Sequence, residues 1–254
     1  GGAGDDTLRG AAGNDILNGG GGDDSIVGGA GADTIDGGSG TDTVDYVASA
    51  AAVTVYLDGR AGIGGDAQGD VLSNIEQVIG SNLADVLVGG ATAETLSGGN
   101  GDDTLIGSAG ADVLSGGAGF DTADYSGSAA GITVYTDSSI SLGGQAAGDT
   151  LVSIERVIGS GFADLITGAS DNERFEGGAG NDTLLGGSGV DTLAELQALA
   201  DAARITQTRI KAYADDATQT APTLADYAAM GVTGADQVGV SALNSILAGP
   251  RIGA

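Results

Sequence analysis

The chain has 254 residues, a net charge of −27 at pH 7 and a sequence pI near 4.1. Its negative charge excludes a nucleic-acid partner, and the absence of Cys and His excludes thiolate nucleophiles, histidine-based catalytic triads and HExxH metal sites. No apolar run approaches the ~18 residues that a membrane span needs. So acidic a chain, with 50 glycines and few aromatic residues, stays disordered unless cations neutralise it. Cations are therefore the expected partner.

The first block, residues 1–45, consists of nine-residue units that are rich in glycine and carry an acid at the sixth position. The units are GGAGDDTLR, GAAGNDILN, GGGGDDSIV, GGAGADTID and GGSGTDTVD, with Asp6, Asp15, Asp24, Asp33 and Asp42 at the sixth positions. Positions seven to nine predict a short strand with one inward apolar residue, such as Ile26. Positions one to six predict a turn in which glycine permits positive φ. Two units then form one coil of about 18 residues, and coils stack about 4.8 Å apart.

Two related inserts and two further blocks follow. The inserts, 46–79 and 125–158, match at a spacing of 79 residues and contain VTVYL and ITVYT, whose alternation predicts strands. LSNIEQVIGS and LVSIERVIGS are expected to continue the stack as irregular coils. The blocks 80–124 and 159–193 restore the nine-residue unit, with sixth-position acids Asp85, Glu94, Asp103, Asp112, Asp121, Asp164, Glu173, Asp182 and Asp191.

The repeated pattern GGxGxDxUx, where U is apolar, resembles the calcium-binding nonapeptide repeats of RTX proteins. The resemblance covers roughly residues 1–193. It implies an all-β fold, a right-handed parallel β-roll with calcium ions bound at the turns. It also implies a bacterial protein that is secreted through a type I channel, unfolded in the calcium-poor cytosol and folded outside the cell.

Sixth-position carboxylates two units apart are expected to lie above one another. Two such charges repel by about 1 kcal/mol at the dielectric constant of water, and Ca²⁺, which accepts six to eight oxygen ligands, reverses the sign. The expected pairs are Asp6–Asp24, Asp24–Asp42, Asp15–Asp33, Asp85–Asp103, Asp103–Asp121, Glu94–Asp112, Asp164–Asp182 and Glu173–Asp191. This pairing predicts about eight calcium sites, with weak, rearranged or empty ones at Glu94 and Glu173, whose turns lack the fourth-position glycine.

The inserts carry further candidates. Asp70 and Asp149 follow glycine; a plain turn is the favoured interpretation for each, and a ligand of a further ion is the alternative. Tyr46 and Tyr125 are expected to cover an exposed end of the core. Because each unit contributes one apolar side chain, burial alone hardly offsets the ordering of so many glycines. Calcium is therefore expected to supply the folding free energy, with an unfolded metal-free chain.

The segment 194–254 has a different pattern, with only a small net charge. A capping box at Thr192–Glu195 predicts a helix over 193–214, and shorter helices are expected from Thr223 and over 234–248. Three interpretations remain open for this segment: a helical module between repeats of a large surface protein, a type I secretion signal, or a cap on the roll.

Two functional hypotheses remain. In the first, the chain is a structural part of a larger secreted surface protein, such as an adhesin, a surface layer or a matrix filament, and binds calcium and other copies of itself. In the second, it is the secretion and folding module of an exoenzyme or toxin whose catalytic domain lies elsewhere. No catalytic residues and no cofactor other than calcium are expected in this chain.

Overall fold

The computed structural model describes residues 1–188. Asp191 and the expected helical segment 194–254 lie outside the described residues, as do the three interpretations of that segment. The described residues belong to one compact unit. They form 19 strands and two short 3₁₀ helices, which confirms the all-β class. None of these helices is long and apolar enough to cross a membrane.

The strands follow the repeat units in chain order. The first block and its insert contain β1 Thr7–Ala12, β2 Ile16–Gly21, β3 Ser25–Ala30, β4 Thr34–Ser39, β5 Thr43–Asp45, β6 Thr54–Tyr56, the 3₁₀ helix Gly65–Ala67, β7 Val71–Ser73 and β8 Gln77–Ile79. The second block and its insert contain β9 Val86–Val88, β10 Thr95–Asn100, β11 Thr104–Ile106, β12 Val113–Ala118, β13 Thr122–Asp124, β14 Thr133–Tyr135, the 3₁₀ helix Gly144–Ala146, β15 Thr150–Val152 and β16 Arg156–Ile158. The third block adds β17 Leu165–Thr167, β18 Arg174–Glu176 and β19 Thr183–Leu185.

All pairings between these strands are parallel, and within the blocks successive strands alternate between opposite sheets. The strand orders are β1-β3-β5-β8-β10-β12-β15, β6-β9-β11-β13-β16-β18, β2-β4-β7 and β14-β17-β19. Leu8 lies beside Ile26 and Leu17 beside Ile35, so neighbouring strands of a sheet are separated by two units of sequence. The predicted parallel β-roll with two units per coil is therefore confirmed.

The inserts continue the roll with regular strands. β7 pairs with β4, and β8 pairs with β5, so that Thr43 lies beside Gln77. Leu72 and Val78 fill the same inward positions as the apolar residues of the nonapeptides and are buried. The prediction that this segment continues the stack is confirmed, but it does so with regular strands rather than as irregular coils. One inward apolar residue per strand suffices for pairing even without the glycines.

The core is a line of single apolar side chains between the sheets. Ile26, Ile35 and Val44 are fully buried, whereas Leu8 and Leu17 are only partly buried. Several strands are six residues long instead of three, because pairing continues through the next glycines. Gly20 keeps this paired path at a φ of 108°, a conformation that side chains other than glycine rarely adopt. Because the core is thin, further stabilisation of the roll must come mainly from the turns.

Candidate metal centre

The sixth-position acids form ladders along the edges of the roll. The backbone N–H of Asp6 donates to Oδ1 of Asp24 at 2.7 Å, and the N–H of Asp24 donates to Oδ1 of Asp42 at 2.8 Å. The same contact joins Asp15 to Asp33 on the other edge, at 2.8 Å. It recurs at 2.8 to 3.0 Å between Asp85 and Asp103, Asp103 and Asp121, Glu94 and Asp112, and Asp164 and Asp182. Every predicted pair within residues 1–188 is thus brought together, while Glu173–Asp191 extends beyond them.

The second carboxylate oxygen of most ladder residues is buried and receives no hydrogen bond. These atoms are Oδ2 of Asp15, Asp24, Asp33, Asp42, Asp103, Asp112 and Asp121, and Oε2 of Glu173. None of the three ion pairs in the described part of the chain includes a ladder carboxylate. A buried charge without a partner costs several kcal/mol. The ladders therefore need a positive charge that these residues do not provide.

The first glycine of each unit forms one wall of the space beside these oxygens. A Cβ atom placed on Gly98 would overlap Oδ2 of Asp103 and would come within 2.7 Å of the carbonyl oxygen of Gly116 in the next coil. Gly19 has the same relation to Oδ2 of Asp24 and to the carbonyl of Gly37. A carboxylate oxygen and a carbonyl oxygen, both acceptors, thus share a pocket that only glycine leaves open.

This oxygen-lined arrangement fits a hard divalent cation. Residues 1–188 contain no group of three or more acidic side chains converging on one point. An ion at the ladder would therefore take its remaining ligands from backbone carbonyls. Calcium accepts such mixed sets in flexible geometry, whereas magnesium demands a tight octahedron and keeps its waters. The donor set consequently fits calcium better.

Some ladder acids differ because their own turns supply donors. Asp85 accepts the N–H of Ser81 at 2.5 Å and its hydroxyl at 2.8 Å, and Ser160 makes the equivalent contacts with Asp164. Asp6 accepts the N–H of Gly2 at 2.7 Å. These carboxylates start their blocks and depend less on an external cation than the orphaned ones.

The two glutamates also depart from the aspartate geometry. Glu94 folds onto its own turn and accepts the N–H and the hydroxyl of Thr92 and the N–H of Gly90. Glu173 accepts the N–H of Ala169 and the hydroxyl of Thr136 on Oε1, while Oε2 stays without a donor. Weak or absent calcium at these two turns remains a prediction. The geometry of Glu94 agrees with it, because both oxygens of its carboxylate already accept hydrogen bonds from its own turn.

Asp70 and its counterpart Asp149 belong to the ladders, although the sequence interpretation favoured plain turn residues over ligands of a further ion. The N–H of Asp33 donates to Oδ1 of Asp70 at 2.8 Å, and Tyr46 donates its hydroxyl to Oδ2 at 2.9 Å. Tyr125 and Asp149 repeat the contact at 2.9 Å. Both tyrosines lie inside the core rather than over an open end. A tyrosine hydroxyl thus satisfies the oxygen that is orphaned elsewhere.

Glu76 and Glu155 are ladder members that the sequence analysis did not assign. The N–H of Asp42 donates to Oε2 of Glu76 at 2.9 Å, and that of Asp121 donates to Oε2 of Glu155 at 2.8 Å. A signal was present in the sequence: Glu76-Gln-Val-Ile and Asp70-Val-Leu-Ser keep the acid and the apolar residue two positions later. The missing glycines concealed the pattern.

Burial raises the pKa of some of the ladder acids. Desolvation raises the pKa of Asp103 to about 6 and that of Asp112 to about 7, with neighbouring carboxylates adding to the effect. Burial likewise raises the pKa of Asp70 to about 6. Protons therefore bind these three carboxylates near neutral pH, and they compete with any cation that uses the same oxygens.

Comparison with known proteins supports the same chemistry. A family model described as the RTX calcium-binding nonapeptide repeat matches four segments, residues 1–26, 18–46, 88–123 and 158–193. No curated protein matches the chain. The matched segments contain the ladder acids of all three blocks except Asp85, and they omit most of both inserts.

Proposed function

Because this chain carries RTX calcium-binding nonapeptide repeats, we propose that it is a calcium-stiffened structural module of a secreted bacterial surface protein. The ladder carboxylates and the carbonyls of the first glycines bind the calcium ions between coils. The module belongs to a surface layer, an adhesin or a matrix filament. It folds outside the cell, where calcium is abundant, and it associates with other copies of itself.

The continuity of the roll through both inserts supports this role most directly. β5 pairs with β8 across the first insert, and β13 pairs with β16 across the second. With the 79-residue spacing, corresponding strands of successive blocks lie in different sheets, as β1 and its counterpart β9 do. A unit that adds coils in register at every copy suits an extended scaffold.

A structural role also accounts for the carboxylates. Paired acids could in principle serve glycoside hydrolysis, which needs two of them on either side of a substrate. In this roll they are stacked along an edge, and each bonds the N–H of its neighbour. We therefore assign the acids of residues 1–188 to ion binding rather than to catalysis.

Electron microscopy of the protein with and without calcium tests the structural role. We expect ordered fibres or lattices in millimolar calcium and none after chelation, because unneutralised ladders on neighbouring copies repel one another. Persistent monomers in calcium would contradict self-assembly and would favour the alternative, a secretion and folding module attached to an enzyme or toxin. Magnesium at the same concentration provides the control for ionic strength.

A further inference from the structure

Each insert contributes a second kind of ligand set to the ladder. It lies where the last nonapeptide of a block packs against the following insert. We infer that Asp42, the carbonyl of Asn74 and Glu76 form a calcium site. Asp121, the carbonyl of Ser153 and Glu155 form its copy. We call these the insert sites. The inference rests on calcium binding by the nonapeptide ladder, and it extends that binding to residues outside the nonapeptide pattern.

The first argument is the orphaned oxygen. Asp42 and Asp121 are fully buried, and Oδ2 of each receives no hydrogen bond. Their Oδ1 atoms accept the N–H groups of Asp24 and Asp103 in the preceding coil. Oδ2 therefore needs a cation on the side that faces the insert.

The second argument is the carbonyl that faces this oxygen. A Cβ atom on Gly37 would meet the carbonyl of Asn74 and come within 2.6 Å of Oδ2 of Asp42. Gly116 has the same relation to Ser153 and Asp121. In the regular coils a glycine carbonyl, such as that of Gly37 beside Gly19, occupies this place. The insert thus reproduces the acceptor pair with a different residue.

The backbone of that residue is unusual. Asn74 and Ser153 both have a φ of 51°, although neither is glycine. Residues that carry a side chain rarely adopt this left-handed conformation. Both copies keep it, and in both the carbonyl lies against the first glycine of the preceding coil.

The third argument is the carboxylate of the next coil. Glu76 and Glu155 bond the N–H groups of Asp42 and Asp121, as Asp24 bonds that of Asp6. Glu76 is half-buried, and no ion pair of the described residues involves either glutamate. The three elements of a regular site are therefore present twice, 79 residues apart.

The other insert ladder provides a contrast. At Gly28 the closest atom after Oδ2 of Asp33 is a methyl carbon of Ile35, at 3.3 Å, so no carbonyl comes as near as at Gly37. The next carboxylate, that of Asp70, already accepts the hydroxyl of Tyr46. Oδ2 of Asp70 therefore has a tyrosine donor, and Oδ2 of Asp33 faces no comparable carbonyl, so this ladder lacks the pair of acceptors found beside Asp42.

Native mass spectrometry of the full chain in calcium tests the inference. The variant E76Q/E155Q should bind two calcium ions fewer than the wild type. The control D58N/D137N removes two exposed acids at equivalent insert positions and should keep the wild-type count. An unchanged count in E76Q/E155Q would overturn the inference. A wild-type chain that binds no calcium would instead overturn the ladder itself.

Single variants cover the case in which the double variant does not fold. E76Q and E155Q each leave one insert site intact, and each should bind one ion fewer than the wild type. A folded single variant with the full ion count would refute the assignment at that insert. Circular dichroism in calcium establishes that each variant is folded before its ions are counted.

Discussion

Removal of calcium should abolish most of the strand structure of residues 1–188. The reason is the row of buried carboxylate oxygens without donors, of which Asp24, Asp103 and Asp121 are examples. Each bare charge costs several kcal/mol, and a typical domain has only about 5–15 kcal/mol of total stability. Far-UV circular dichroism should show a largely disordered chain in chelator and strands after addition of millimolar calcium. Equal strand content in the two conditions would refute calcium-dependent folding.

Lowering the pH of the calcium-free chain provides an internal control for the circular dichroism experiment. Burial raises the pKa of Asp103 to about 6 and that of Asp112 to about 7, both above the ordinary value of a carboxyl group. A raised folded-state pKa favours the folded form at low pH, and this contribution is lost as the pH rises through about 6 to 7. In chelator, some strand signal should therefore return near pH 4, while magnesium at neutral pH should restore little.

Replacement of Gly98 by alanine should strongly destabilise the second block. The new Cβ would overlap Oδ2 of Asp103 and lie 2.7 Å from the carbonyl of Gly116. The backbone cannot move away easily, because Ser97 and Gly99 pair with Ser115 and Gly117. We expect a loss of more than about 2 kcal/mol in calcium-saturated stability, measured by urea denaturation in calcium.

The matched control for this variant is Gly161→Ala. No heavy atom lies within 4 Å of the position that its Cβ would take, and its φ is not in the left-handed region. This substitution should change stability by less than about 1 kcal/mol. If both variants lose the same stability, the first glycine is not required for the ion pocket, and the structural explanation of the repeat is wrong.

The ladder within the blocks could be predicted from the sequence alone. A nine-residue period and an acid in constant phase suffice to place Asp6 above Asp24 and Asp15 above Asp33, because two units per coil is the only additional assumption. The inward position of Ile26 follows from the same phase. These features are local and repetitive, so the sequence carries them many times over.

The inserts could not be predicted in the same way. Glu76 and Asp70 lie 34 and 37 residues from Asp42 and Asp33, the acids that they contact. Those distances depend on how the chain between them folds, with an antiparallel bridge from Thr54 to Ile63 and a short 3₁₀ helix. The choice between a tyrosine hydroxyl and a cation as partner is a tertiary contact, and no periodicity encodes it.

The most direct test of the calcium ladder is an anomalous difference map from crystals grown in calcium. The ladder predicts peaks between successive coils, beside Oδ2 of Asp24 and Asp103 and next to the first-glycine carbonyls, along both edges of the roll. Peaks confined to exposed acids such as Asp58 and Asp137, with none beside the buried oxygens, would contradict it.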